Sequence, residues 1–345
     1  MSSPVFLVAS IVIFYLVINI AGYIIEKIKI PKIYSALFLG VIFGSASLVQ
    51  GFVSSNTIKF LSQLGMFSLL FLLGYGLNVK ELKKQGNLII RITSLVILSE
   101  FTLGILVLHF FFNVGWVLAG IIAVSFATVG EVALLPILRE FKLIKTHLGQ
   151  TIFGVAILDD IVEILAFIFL FMFISGFYLG DFVNSVVPLV AIVIGAVVGN
   201  TMRHLERFEK AINFIALFIF GPFFFFTAGT EADFSILINK FPIILAFTLA
   251  IKATKLASAY IASHKQLGNK KSIVLGVSLG IKFSSSIIIL LILLQRNLIT
   301  EELFSVLIGI KIMFKFIVPI VLSFLLSRWH LELSKPIEAF NYTDR

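Results

Sequence analysis

Gly154-Val155-Ala156-Ile157-Leu158-Asp159-Asp160-Ile161-Val162-Glu163-Ile164-Leu165-Ala166-Phe167 sits in the middle of an apolar run, 148–177, long enough to cross a bilayer. Three carboxylates lie inside it. An ionised carboxylate at that depth costs about 2.5–3.5 kcal/mol on insertion scales, so it must face a bundle interior, meet a cation or take a proton. Adjacent acids repel, and a single salt bridge cannot satisfy both Asp159 and Asp160. Successive helical residues point about 100° apart, which lets one aspartate meet a lysine while the other faces a water-filled cavity. A pair held in that way binds either protons or a metal cation.

Working outward, 59% of the 345 residues are hydrophobic and only 13% are charged, against an apolar share of roughly 45–50% in soluble domains. The chain is therefore read as an all-α integral membrane protein. The composition holds no cysteine, which excludes disulfides and thiolate metal sites, and 38 phenylalanines fit lipid-facing surface. The net charge of +9 comes from basic residues in short loops, so it signals membrane topology rather than nucleic acid. No nucleophile with its base, metal cluster or phosphate loop appears, so neither an enzyme nor a cofactor is expected.

Eleven spans are expected, near 5–25, 33–49, 58–78, 89–112, 116–138, 148–177, 182–201, 211–228, 242–263, 271–294 and 303–326. Lys and Arg concentrate in the loops after odd-numbered spans, which places the N-terminus outside and the C-terminus in the cytoplasm. The first apolar run is long enough to stay as a span, and the tail 327–345 is too short to fold alone. One span followed by five and five makes spans 2–6 and 7–11 inverted repeats.

The repeats carry matching interruptions. Span five reads Ser125-Phe126-Ala127-Thr128-Val129-Gly130-Glu131, and span ten reads Gly280-Ile281-Lys282-Phe283-Ser284-Ser285-Ser286. Glycines, hydroxyls and a charge near mid-span mark broken helices that would cross near the midplane. Glu131 and Lys282 would then offset the partial charges at half-helix ends, each equivalent to roughly half a unit.

The intramembrane acids Glu100, Glu131, Asp159, Asp160 and Glu163 all lie in the first repeat, and the bases Lys252, Lys255, Lys282, Lys311 and Lys315 in the second. That segregation predicts neutralisation between the repeats. Glu163 either tunes the aspartate pair or binds Lys255. Glu100, Lys311 and Lys315 are read as structural. The run Phe223-Phe224-Phe225-Phe226 reads as ordinary apolar span surface with a bend at Gly221-Pro222, and Gly276-x-x-x-Gly280 suits close helix packing.

These residues resemble the monovalent cation:proton antiporter superfamily. Leu64-Gly65-Met66-Phe67-Ser68-Leu69-Leu70-Phe71-Leu72-Leu73-Gly74-Tyr75-Gly76-Leu77 is similar to its third-span signature. Ala127-Thr128 with Pro136-Ile137-Leu138-Arg139-Glu140 resembles its first broken helix, Asp159-Asp160 its ion-binding pair, Phe223 to Gly229 its Phe-rich span, and 244–252 the span with its partner lysine. The resemblance implies that Asp159 pairs with Lys252, and that Asp160 is the main cation ligand with help from Thr128. It also implies the electrogenic branch, two protons against one cation. A homodimer is implied as well, in which core spans 4–6 (89–177) and 9–11 (242–326) slide against scaffold spans 1–3 (1–88) and 7–8 (178–241).

Three features depart from the pattern: the short linkage from span seven to the Phe-rich span, Lys282-Phe283-Ser284 in the second break, and the additional Glu131 and Glu163. The expected activity is exchange of sodium, with lithium and potassium as alternatives, for protons across a bacterial inner membrane. The rival reading is a sodium-coupled organic anion symporter, in which the surplus lysines bind a carboxylate.

Overall fold

The computed structural model describes residues 4–27, 32–77, 86–127, 143, 146–177, 182–202, 205–280 and 285–329. The described residues contain helices and turns and no strand. The helices are α1 (Pro4–Glu26), α2 (Tyr34–Phe43), α3 (Ser47–Val53), α4 (Asn56–Gly76), α5 (Asn87–Phe112), α6 (Trp116–Ala127), α7 (His147–Phe177) and α8 (Phe182–Met202). Then come α9 (Glu206–Phe214), a π-helical turn (Ile215–Phe220), α10 (Gly221–Thr230), α11 (Phe234–Asn239), α12 (Phe241–Leu267), α13 (Asn269–Ser278), α14 (Ser285–Gln295) and α15 (Glu301–Trp329). Each expected span coincides with a helix or begins with one. Among the described residues, six helical stretches are long and apolar enough to cross a membrane, and four shorter ones are apolar. The chain is a multi-pass helical membrane protein.

Local chemistry sets the ends. The Ser55 hydroxyl accepts the Ile58 N–H at 3.3 Å and starts α4, while Asn113, in the left-handed region at φ 53°, closes α5. Gly268, at φ 77°, makes the tight turn from α12 into α13, where a side chain would be strained. The second span is shorter than expected. It stops at Phe43, and residues Ser47–Val53 fold as the separate seven-residue α3.

The expected Gly-Pro bend is instead a change of helical register. Gly221 N–H donates to the Ala216 carbonyl five residues back, and Pro222, with no N–H to offer, opens α10 at once. The Phe run that follows is not outward-facing surface. Phe223, Phe224, Phe225 and Phe226 are all buried, with Phe223 stacked on Phe14 at 4.9 Å and Phe225 edge-on to Tyr34 at 5.6 Å. Phenylalanine suits lipid and aromatic packing equally by hydropathy, so its neighbours decide the outcome.

The chain forms two compact units. The first comprises Met1–Val79, Glu163–Thr248 and Ser284–Met313, the second Lys80–Val162, Leu249–Phe283 and Phe314–Arg345. The division cuts α7, α12 and α15 in mid-course. In the first unit α4 and α8 approach until backbones touch: a Cβ on Gly195 would meet the Phe71 carbonyl, so only glycine fits. In the second, Ile92 and Val96 of α5, Ile152, Val155 and Ala156 of α7, Ala259 and Ala262 of α12, Val274 and Leu275 of α13, and Val318 and Leu322 of α15 form one buried core. It joins the first repeat to the second within one unit.

Candidate functional site

The buried stripe of α7 puts the first aspartate where it is. Ile152, Val155 and Ala156 face the core of the second unit, and the next positions at helical spacing are Asp159 and Asp160. Asp159 is fully buried, with 0% of its surface exposed, whereas Asp160 is half-buried. The two neighbouring acids thus differ in burial. Glu163, one turn further, is also buried and falls in the first unit.

Lys252 and Lys255 stand three residues apart on α12, a spacing that puts neighbouring side chains on one face. Both reach the end of α13. The last four carbonyls of a helix have no partner within it, and away from water each is costly to leave unmade. The Lys252 ammonium donates to the Gly280 carbonyl at 2.5 Å and lies 4.0 Å from the centroid of the Phe314 ring. The Lys255 ammonium donates to the Leu279 carbonyl at 3.0 Å. Two cations thus meet the C-terminal end of α13, where the helix dipole is negative and favours positive charge.

Lys255 also forms an ion pair with Glu100 of α5 at 2.9 Å, with 0% and 1% of the two side chains exposed. The expected neutralisation between repeats is realised here by Lys255 and Glu100. Nothing in the sequence links residues 100 and 255, which stand on different helices, so the pair had no local signature. Gly276 and Gly280 lie against α12 as the spacing suggested. A Cβ on Gly276 would come within 3.0 Å of the Leu256 Cα, and one on Gly280 would run into the Lys252 ammonium.

At the second expected interruption α13 ends at Ser278, and at the first the described residues stop with α6 at Ala127. Thr128, Glu131 and Lys282 lie outside the described residues.

A membrane helix bundle with a buried mid-span aspartate, a second beside it, and lysines seated on the end of an interrupted helix defines the class of ion-coupled secondary transporters. Residues 12–199 and 163–328 match the family described as sodium/hydrogen exchanger, transmembrane, and the chain belongs to that family. It is 24% identical over 366 residues to the Na(+)/H(+) antiporter of Enterococcus hirae, covering 89% of this chain and 94% of that one. It is 29% identical over 151 residues to "Probable Na(+)/H(+) antiporter 3" of Methanocaldococcus jannaschii, a match over 43% of this chain. The match spans 38% of that archaeal relative's length. Among solved structures, the sodium proton antiporter MjNhaP1 of Methanocaldococcus jannaschii at pH 8 shares the fold, with a TM-score of 0.63 at 13% identity over 94% of this chain and 96% of that one.

Proposed function

We propose that this chain is a secondary antiporter that exchanges sodium for protons, with Asp159 and Asp160 as the groups that hold either. The observation that carries the reading is the fully buried Asp159 next to the half-buried Asp160, mid-helix, in the unit that also holds Lys252. Two carboxylates at one point cannot both stay ionised without a cation, so loading sodium requires discharge of protons. Asp160, the more open of the two, is the main cation ligand, assisted by Thr128. Asp159 works with Lys252 as its partner lysine. Glu131 and Lys282 offset half-helix ends, and Glu163 tunes the pair.

Discharge of two protons per cation makes the cycle electrogenic. Lithium and potassium compete according to how closely the oxygens at the first interruption can gather. The chain works as a homodimer in the plasma membrane, N-terminus outside, with core spans 4–6 and 9–11 sliding as an elevator against scaffold spans 1–3, 7 and 8. The rival symport of an organic anion needs lysines free to take a carboxylate, whereas Lys252 and Lys255 are engaged on carbonyls and Glu100.

The test is reconstitution into liposomes with an acid interior. External sodium should make the interior alkaline at some pH between about 6 and 9, and the Asp160→Asn protein should not respond. Absence of a cation-dependent response across that range, or undiminished exchange in the variant, overturns the proposal.

A further inference from the structure

Two consecutive carbonyls, Leu279 and Gly280, are held by two lysines one helical turn apart, and only one of those lysines, Lys252, has a part in the proposed exchange. The other, Lys255, is locked at its far side to Glu100, and both side chains are sealed from solvent. Stability alone does not account for such a pair. A well-packed apolar pair of similar volume would stabilise the unit as well or better, because two buried charges lose their hydration. The pair does supply a fixed point. An ammonium has three donors, and Lys255 spends one on the Glu100 carboxylate and another on the Leu279 carbonyl. Since the Leu279 and Gly280 carbonyls belong to successive peptide units, holding one limits where the other can go.

We propose that Glu100 and Lys255 are positioning residues of the exchange site: Glu100 anchors Lys255, Lys255 fixes the end of α13 through Leu279, and that end seats Lys252 on Gly280. The inference rests on the reading of Lys252 as part of the exchange site. The pair touches neither cation nor transported proton; it sets the place and the electrostatic surroundings of the lysine that does. Among the described residues, the other intramembrane charges in this unit are Asp159 and Asp160 on α7 and Lys315 on α15, the residue after Phe314, while Glu163 and Lys311 stand on the same two helices in the first unit.

The two charges of the pair act on Lys252 with opposite sign. Glu100→Gln leaves an ammonium without its counter-charge one turn from Lys252. Lys255→Met leaves a buried carboxylate and a half-helix end facing Lys252 alone. Sodium-driven exchange by the full chain in proteoliposomes, followed across external pH, should therefore move its midpoint to acid in Glu100→Gln and to alkaline in Lys255→Met. Each shift should be about one pH unit, the order imposed by a charge close to a buried group. The midpoint of Glu100→Leu/Lys255→Met should fall between them, and Lys255→Arg should return it toward the native position.

Displacements in the same direction, or native pH midpoints and sodium KM values in variants whose only change is thermal stability, overturn the proposal. Should either single variant fail to fold, the apolar double variant carries the decision through KM: with both charges gone the midpoint returns near the native one, but Lys252 loses its fixed seat and the sodium KM should rise several-fold, so a native KM in it refutes positioning. Lys252→Gln separates the two levels. A native profile in that variant sinks the reading of Lys252 itself, whereas an altered one beside native Glu100 and Lys255 variants sinks only the positioning role.

Discussion

Replacing Gly280 by alanine is the sharpest local perturbation the structure offers, because it displaces the Lys252 ammonium without changing any charge. A Cβ at position 280 would occupy the space of the Lys252 Nζ, while its other two nearest neighbours, the Val277 carbonyl oxygen and Val318 Cγ2, stand at 3.1 Å and need give only slightly. The ammonium is the end of a flexible side chain, so it moves rather than the backbone. It then loses a charged hydrogen bond, worth about 1.5–3 kcal/mol, and part of its contact with the Phe314 face. Gly280→Ala should thus cost about 2 kcal/mol in unfolding free energy measured by SDS titration in mixed micelles. Lys252→Met, which leaves the Gly280 carbonyl unmet, should cost a similar amount. The two residues meet, so the costs should not add: once the ammonium is gone the new methyl has nothing to displace, and the double variant should be little worse than Lys252→Met alone. An additive cycle, with coupling under about 0.5 kcal/mol, would refute the seat of Lys252 on Gly280.

Further outcomes are expected elsewhere in the molecule. Gly195→Val drives a side chain into the Phe71 carbonyl and should abolish the monodisperse peak in detergent size-exclusion chromatography, whereas Gly51→Ala, with nothing within 4 Å, should leave it unchanged. Asp233 receives the Ser235 N–H at 2.7 Å at the start of α11, and the Ser235 side chain and backbone hold its carboxyl below the usual range. Its contribution is present above the unfolded-state value and fades as pH falls through the folded one, so the stability gap between native and Asp233→Asn protein should be wider at pH 7 than in acid. Glu231 behaves oppositely: burial and the neighbouring Glu301 push its carboxyl up, against the weaker pull of Lys59. It favours the fold while protonated and loses that contribution as pH rises, so Glu231→Gln should raise stability at pH 7.5 by a few tenths of a kcal/mol at most, given its exposure, and make no difference at about pH 4.

Much of this architecture is legible in the sequence because lipid imposes length. Each apolar run of sufficient size becomes a helix, and α1, α5, α7 and α12 lie within a few residues of expectation. The depth of Asp159 follows from helical spacing relative to Val155 and Ala156. What hydropathy cannot convey is which apolar face finds protein and which finds lipid, since both solvents suit Phe; hence the burial of Phe223–Phe226 was not foreseen. Nor does linear order reveal pairing across repeats. Glu100 looked merely structural and Lys255 had several partners open to it, until folding brought α5 beside α12. The carbonyl targets of both lysines were invisible for the same reason: any residue can offer a carbonyl, and only a helix end leaves it unmet.

The central claim is that the same two carboxylates hold either protons or a cation, and proton release on cation binding tests it most directly. Sodium chloride is added to the purified protein in weakly buffered detergent at a pH near its activity midpoint, choline chloride serves as the control, and released protons are counted with a pH electrode. The account predicts sodium-specific release approaching two protons per chain at saturation, with none from Asp160→Asn. Sodium binding seen calorimetrically with no proton released, or native release from Asp160→Asn, would contradict it.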